Sequence, residues 1–296
     1  MLKSDLEIPP QIGKFLGLYL LFHIGIVGGQ ELSQSGLSET LVLVMITCVA
    51  FSFIMPVLAY KVLRFKMGQA NSAAISASYG SVSAVTFATA LTFLSYHHQS
   101  FNGFMVLGLA LMEVPAILSG LIIYKLCSKN NNDKKSFGRT IKESLLSGSI
   151  VLLIGALIIG FLSGPAGQQE LKPFVTGIFK GMLSFYMLDL GILCGKNIGS
   201  LKKGGLFIVL FAILFPLFGA TCGIAASLML NLGLGNALLL TILAGSASYI
   251  AVPAAMRLAI PDANMGILLP MTIVITFSLN ITIGIPVYYH LLQILL

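Results

Sequence analysis

Gly245-Ser246-Ala247-Ser248-Tyr249-Ile250-Ala251-Val252-Pro253 stands in the middle of a long apolar region. Gly245 weakens a helix through backbone entropy, and Pro253 does so through its missing N–H. Two serine hydroxyls lie between them. At mid-membrane depth, freed backbone groups must be buried in protein or line a wet cavity. The stretch therefore reads as the interrupted centre of a broken transmembrane helix. The first part of the chain carries a counterpart, Gly80-Ser81-Val82-Ser83-Ala84-Val85-Thr86. Short polar breaks at matching places in two halves point to the binding site of a transporter.

Of 296 residues, 57% are apolar and 9% charged, against about 25% charged in a soluble domain. Apolar runs of about 20 residues follow one another, each long enough to cross roughly 30 Å of hydrocarbon. The fold class is an all-α polytopic membrane protein with about nine transmembrane helices. The expected spans are 11–30, 38–63, 70–95, 102–127, 141–163, 172–196, 204–231, 236–260 and 265–294. The first run is too long, and followed by too many others, for a cleaved signal peptide. Cys48, Cys127, Cys194 and Cys222 lie in or at the ends of four different runs without CxxC spacing, which predicts neither a metal site nor a disulfide. The charge of +7 lies almost wholly in loops on one side and is no sign of nucleic acid.

Lys61, Arg64 and Lys66 follow the second span, and Lys125, Lys129, Lys134, Lys135, Arg139 and Lys142 cluster after the fourth. Lys196, Lys202 and Lys203 follow the sixth, and Arg257 closes the eighth. The positive-inside rule places these loops in the cytoplasm. The N-terminus is then cytoplasmic and the C-terminus outside, in a plasma (inner) membrane. The polar run within 128–140 reads as a cytoplasmic linker between a first repeat half, 1–127, and a second, 141–296. Aligning Gly80-Ser81-Val82-Ser83 with Gly245-Ser246-Ala247-Ser248 brings the following spans into register. Basic residues precede the first broken helix and close the second. The two helices therefore run in opposite directions, as in an inverted repeat.

Half-helix N-termini at such breaks aim unpaired N–H groups and partial positive charge at a cavity, which suits a small oxyanion. The candidate substrate and ion ligands are Gly80, Ser81, Ser83, Thr86, Gly245, Ser246 and Ser248. Their hydroxyl and carbonyl oxygens also suit Na⁺. The alternative is that the serines are small packing residues bonded back to their own helices. Glu113 stands mid-span with no charge close in sequence. A carboxylate there must be paired, protonated or wet. It either ligates the coupling ion or carries a proton, or it satisfies carbonyls freed by Pro115. Na⁺ ligands are expected from Ser83, Ser248 and Glu113. Asn280, deep in the last span, roughly matches the Glu113–Pro115 region; it bridges a broken neighbour helix or takes part in binding. Asp189 pairs with a basic residue or acts directly. Gly28 and Gly29 with Gln30 read as the bend and end of the first helix. No GxxxxGK[ST] or HExxH pattern occurs, and no nucleophile–base pair or metal cluster marks the spans. An enzyme is not indicated, and no cofactor is expected.

His23-Ile24-Gly25-Ile26-Val27-Gly28-Gly29, the Gly80–Leu91 segment and Met112-Glu113-Val114-Pro115-Ala116 resemble the sodium-dependent bicarbonate transporter family known from cyanobacteria. So does Ser246-Ala247-Ser248-Tyr249-Ile250-Ala251-Val252-Pro253-Ala254-Ala255-Met256-Arg257, with Ile260-Pro261-Asp262-Ala263-Asn264. The resemblance covers essentially the whole chain. It implies ten helices, two of them broken and crossing, arranged as a gate domain and a core domain. It further implies bicarbonate and sodium sites at the crossing, an elevator-like motion, a homotrimer and a regulator of the PII type. There are two departures. The family's first helix has no counterpart before Ile12, and a late start codon is the expectation. Cyanobacterial members carry Ser-Ser-Asp where this chain has Ala247-Ser248-Tyr249, which bears on bicarbonate itself and on sodium coupling.

The function expected is secondary active import, by symport with Na⁺, of a small inorganic anion, most readily bicarbonate. Two alternatives stand: a carrier of an organic anion on the same plan, and a passive channel or membrane anion sensor. The partners expected are membrane lipid, the anion, other copies of the chain and the PII-like regulator, with no nucleic acid.

Overall fold

The computed structural model describes residues 6–35, 38–127, 146 and 148–296. The linker at 128–140 lies outside the described residues. Every regular element among those described is helical. The helices are α1 (Pro10–Ser35), α2 (Glu39–Leu63), α3 (Gln69–Gly80), α4 (Ala84–Tyr96), α5 (Phe104–Cys127) and α6 (Gly148–Lys172). They continue as α7 (Phe179–Met229), α8 (Leu234–Gly245), α9 (Ala251–Ala259), α10 (Met265–Leu269) and α11 (Ile285–Leu295). Wider π turns at Pro173–Gly177, Pro270–Phe277 and Asn280–Gly284 join α6 to α7 and α10 to α11. Among the described residues, 7 spans are long and apolar enough to cross a membrane, and Val151–Ser163 and Leu234–Gly245 are shorter apolar helices. The chain is a polytopic α-helical membrane protein.

Two expected boundaries shift. Residues 164–171, expected as a loop, are helical and lead through Lys172 and the Pro173–Gly177 turn into α7. The sixth and seventh spans stay distinct within α7, which breaks at Gly205, whose φ of 72° is left-handed backbone that glycine adopts at little cost. Gly28 and Gly29 do not end α1, which continues to Ser35. They are packing positions. A Cβ at Gly25 would lie 2.6 Å from the Ala156 Cβ, and one at Gly29 would strike the Leu157 carbonyl. Glycine at 25 and 29 lets α1 and α6 approach backbone to backbone, as small residues do in membranes, and Gly28 makes room for Val106 of α5.

The two broken helices share one geometry. Gly68 before α3 has φ −63° and ψ 157°, and Gly233 before α8 has φ −62° and ψ 156°. Both helices are 12 residues long. Ser81 ends α3 at φ −108° and ψ 178°, and Ser246 ends α8 at φ −108° and ψ −179°. One sequence offset relates Gly68 to Gly233, Gly80 to Gly245 and Ser81 to Ser246. Each break opens on glycine because a neighbouring helix passes there at an internal proline. A Cβ at Gly80 would strike the Pro56 ring of α2, and one at Gly245 would sit 3.0 Å from the Pro216 carbonyl of α7.

Hydrogen bonds fix the direction of the pair. Asn71, near the start of α3, accepts the Asn264 N–H just past α9 at 2.7 Å. Asn236, near the start of α8, accepts the Asn102 N–H just past α4 at 2.8 Å and donates to the Asn102 side chain at 2.6 Å. The beginning of each broken helix is thus clasped to the end of the other, so they run antiparallel. In the middle, α3 packs on α9 and α4 on α8. This crossing lies inside the bundle: 78% of the apolar window in Gln69–Tyr96 is buried, against 33% for α2.

Candidate functional site

The first break is short. Helix ends at Gly80 and resumes at Ala84, with Ser83 as N-cap, its Oγ accepting the Thr86 N–H at 3.1 Å. The cap satisfies one of the orphan donors of the new helix. The second break is longer, from Ser246 through Ile250, and α9 begins at Ala251. The Ser248 Oγ accepts the Val252 N–H at 3.4 Å. Pro253 therefore stands in the first turn of a helix and not at its end, where its missing N–H removes no intrahelical bond.

The breaks meet. The Ser83 N–H donates to the Ser246 Oγ at 3.3 Å, and the Ser248 N–H donates to the Ser78 carbonyl at 2.8 Å. Beside the junction lies a cavity of about 50 Å³. Its polar side is Ser81, Ser83, Ser248 and Glu113. Ala84 and Ala251 bring the first turns of α4 and α9 to it, so two helix N-termini face one small space. Their partial positive charges favour an anion there. Leu21 of α1, Leu109 of α5 and Leu153 of α6 add apolar lining.

The expected residues fall into two groups. Ser81, Ser83, Ser248 and Glu113 come together on the cavity, including all three expected Na⁺ ligands. Gly80, Gly245, Thr86, Ser246 and Asn280 do not line it. Ser246 is engaged by the Ser83 N–H, and Asn280 donates to the Gly245 carbonyl at 2.9 Å. The Asn280 Oδ1 accepts the Tyr288 hydroxyl at 3.3 Å. Asn280 thus bridges the broken helix, taking up a carbonyl that the interruption releases. The Thr86 Oγ1, one turn past Ser83, and the Ser78 Oγ, before the break, are buried without a hydrogen-bond partner among the described residues. Asp189 lies against Gly13 of α1 and not on the cavity.

Tyr249 is a lining residue that residue chemistry alone did not single out. It is buried and packs edge-on against Phe277, with ring centroids 5.4 Å apart. Its signal was the departure from the pattern that the family resemblance implies: an aromatic ring stands where that resemblance implies a carboxylate. Leu21 and Leu153 left no signal, since nothing separates them from other apolar residues of α1 and α6.

Two antiparallel broken helices around a shared cavity are the arrangement that marks a binding site in membrane transporters. The family profile described as the Na⁺-dependent bicarbonate transporter superfamily matches residues 1–293. The chain belongs to that superfamily and is a membrane transporter. Curated proteins give no match.

Proposed function

We propose that the protein imports bicarbonate together with Na⁺ across the plasma membrane, driven by the sodium gradient. One observation carries this reading: the cavity at the meeting of the two breaks joins two helix N-termini to Ser81, Ser83, Ser248 and Glu113. The helix ends attract an anion. A carboxylate beside that anion repels it, unless a cation or a proton lies between them. An all-oxygen donor set suits a hard cation. Na⁺ between Glu113 and the serine hydroxyls cancels the repulsion, so the anion binds well only with its coupling ion. The Thr86 Oγ1, one turn past Ser83, is buried without a hydrogen-bond partner among the described residues.

Size favours an inorganic solute. A cavity of about 50 Å³ is far below the roughly 300–1,000 Å³ of sites for drug-sized ligands. The wall from Leu21 and Leu153 offers no polar group, so the solute is held by the crossed helices together with Glu113 of α5. This supports a motion in which the crossed helices carry the solute past α1 and α6. In this reading 1–127 and 141–296 are the two repeat halves, the N-terminus is cytoplasmic and the C-terminus outside. The family resemblance adds a homotrimer and a PII-like regulator as partners.

The test is radiolabelled bicarbonate uptake into proteoliposomes with and without an inward Na⁺ gradient. Uptake should require the gradient, and Ser83→Ala and Ser248→Ala should each reduce it severalfold. Normal uptake in both variants would make the serines packing residues. Trans-stimulated exchange separates this carrier from a channel, and binding without flux would mark a sensor.

A further inference from the structure

A second opening of about 660 Å³ lies between α2 and the part of α7 after Gly205. Its floor is Phe211 and Phe215, both buried and stacked with ring centroids 4.9 Å apart. Leu210, Leu214 and Phe218 rise on one side, roughly half exposed, and Leu58 and Val62 on the other. The lining extends from Phe207 to Phe218 along one face of α7, about 16 Å at helical rise. That is close to the depth of one leaflet, half of roughly 30 Å. Among the described residues, one charged group lines the groove, Lys61 in the last turn of α2, and no carboxylate does.

We propose that this groove is a binding site for one anionic phospholipid, with an acyl chain along the phenylalanine floor and the phosphate on Lys61. The charge decides between occupants. A second copy of the chain laying an apolar helix here would cover the Lys61 ammonium and offer it no anionic partner. A zwitterionic lipid fills the groove but gives weaker charge complementarity. An anionic headgroup pairs the ammonium at the interface while its chain stays in the apolar track.

The floor also touches the transport machinery. Phe211 and Phe215 pack edge-on against Tyr79, with centroids 5.1 and 5.7 Å away. Tyr79 directly precedes Gly80 and the first break. Its hydroxyl pairs with the Thr276 Oγ1 at 2.8 Å, which in turn donates to the Ala212 carbonyl at 2.8 Å. A lipid in the groove backs the platform that holds the first broken helix. The site is independent of which solute the cavity carries.

The chain contains no tryptophan, so Leu214→Trp introduces a single fluorophore on the groove's rim. Leu210→Trp is a second reporter should the first not fold, and Ile158→Trp on α6 is a control on exposed surface. The purified full-length variants are reconstituted with phosphatidylglycerol or phosphatidylcholine brominated in the acyl chain. In the groove, the glycerol lipid should reach half-quenching at about fivefold lower mole fraction than the choline lipid, the factor expected from one basic contact. Lys61→Ala should remove that preference, and the Ile158 control should show none. Equal quenching by both lipids would reduce the groove to ordinary lipid contact. Quenching at position 158 with none in the groove would mean that another copy covers it. Either result overturns the proposal.

Discussion

The two breaks enter alike and leave differently. Ser81 and Ser246 share their backbone angles to within a few degrees, and Gly80 and Gly245 each lie against a helix with an internal proline. After that the halves diverge. The first break resumes helix at Ala84 under a Ser83 cap at 3.1 Å; the second does so at Ala251 under a longer Ser248 contact at 3.4 Å. The polar groups beside them diverge as well. Asn280 engages the Gly245 carbonyl, whereas Glu113, in the roughly matching region, lines the cavity. A repeated scaffold thus carries unequal chemistry: one half holds its broken helix together, and the other presents a carboxylate to the solute.

The largest expected effect tests that division. Glu113→Gln should lower Na⁺-driven uptake about tenfold or more, the scale of losing a charged ligand's hydrogen bonds, with thermal unfolding in detergent unchanged. Asn280→Ala should do the reverse. It leaves the buried Gly245 carbonyl unpaired, at about 1–3 kcal/mol of stability, and lowers the unfolding temperature more than the apparent KM for bicarbonate. Swapped outcomes would break the comparison. Gly80→Ala and Gly245→Ala test the shared entry: both should destabilise by about 1–3 kcal/mol through overpacking, with Gly80→Ala worse because its neighbour is a rigid ring. Next come the clasps. Asn236→Ala removes two contacts and Asn71→Ala one, so the former should cost more, each bond being worth about 1 kcal/mol. The smallest effect is at the surface. Lys196 hydrogen-bonds Glu7 at 2.6 Å and holds its carboxyl below its ordinary value. The pair is present at neutral pH and is lost as pH falls through that lowered value. Because both groups are exposed, Glu7→Gln should leave unfolding and uptake unchanged.

Much of this was legible in the residues. Gly-Ser-x-Ser twice, in apolar surroundings, located both breaks, and Glu113 stood out because a lone mid-span carboxylate needs a reason. Other parts were not legible. Gly28 and Gly29 read as a helix end because glycine is a poor helix former. Only the Val106 side chain of α5 beside Gly28 and the α6 backbone beside Gly29 show that they are contact points inside a continuous helix. Pro253 read as part of the interruption, yet proline in a first turn starts a helix as readily as it ends one.

By itself the sequence determined that this chain lives in a membrane, is helical and is interrupted twice, because hydrocarbon admits few ways to satisfy a backbone and composition records which one is used. The resemblance of its motifs pointed to the right superfamily. Tertiary structure decided which polar groups face the solute and which hold the frame. Ser83, Ser246, Ser248 and Asn280 are chemically similar candidates along the chain. What divides them is which group lies across from each when two antiparallel helices cross. That depends on contacts between residues far apart in sequence, and local pattern does not encode it.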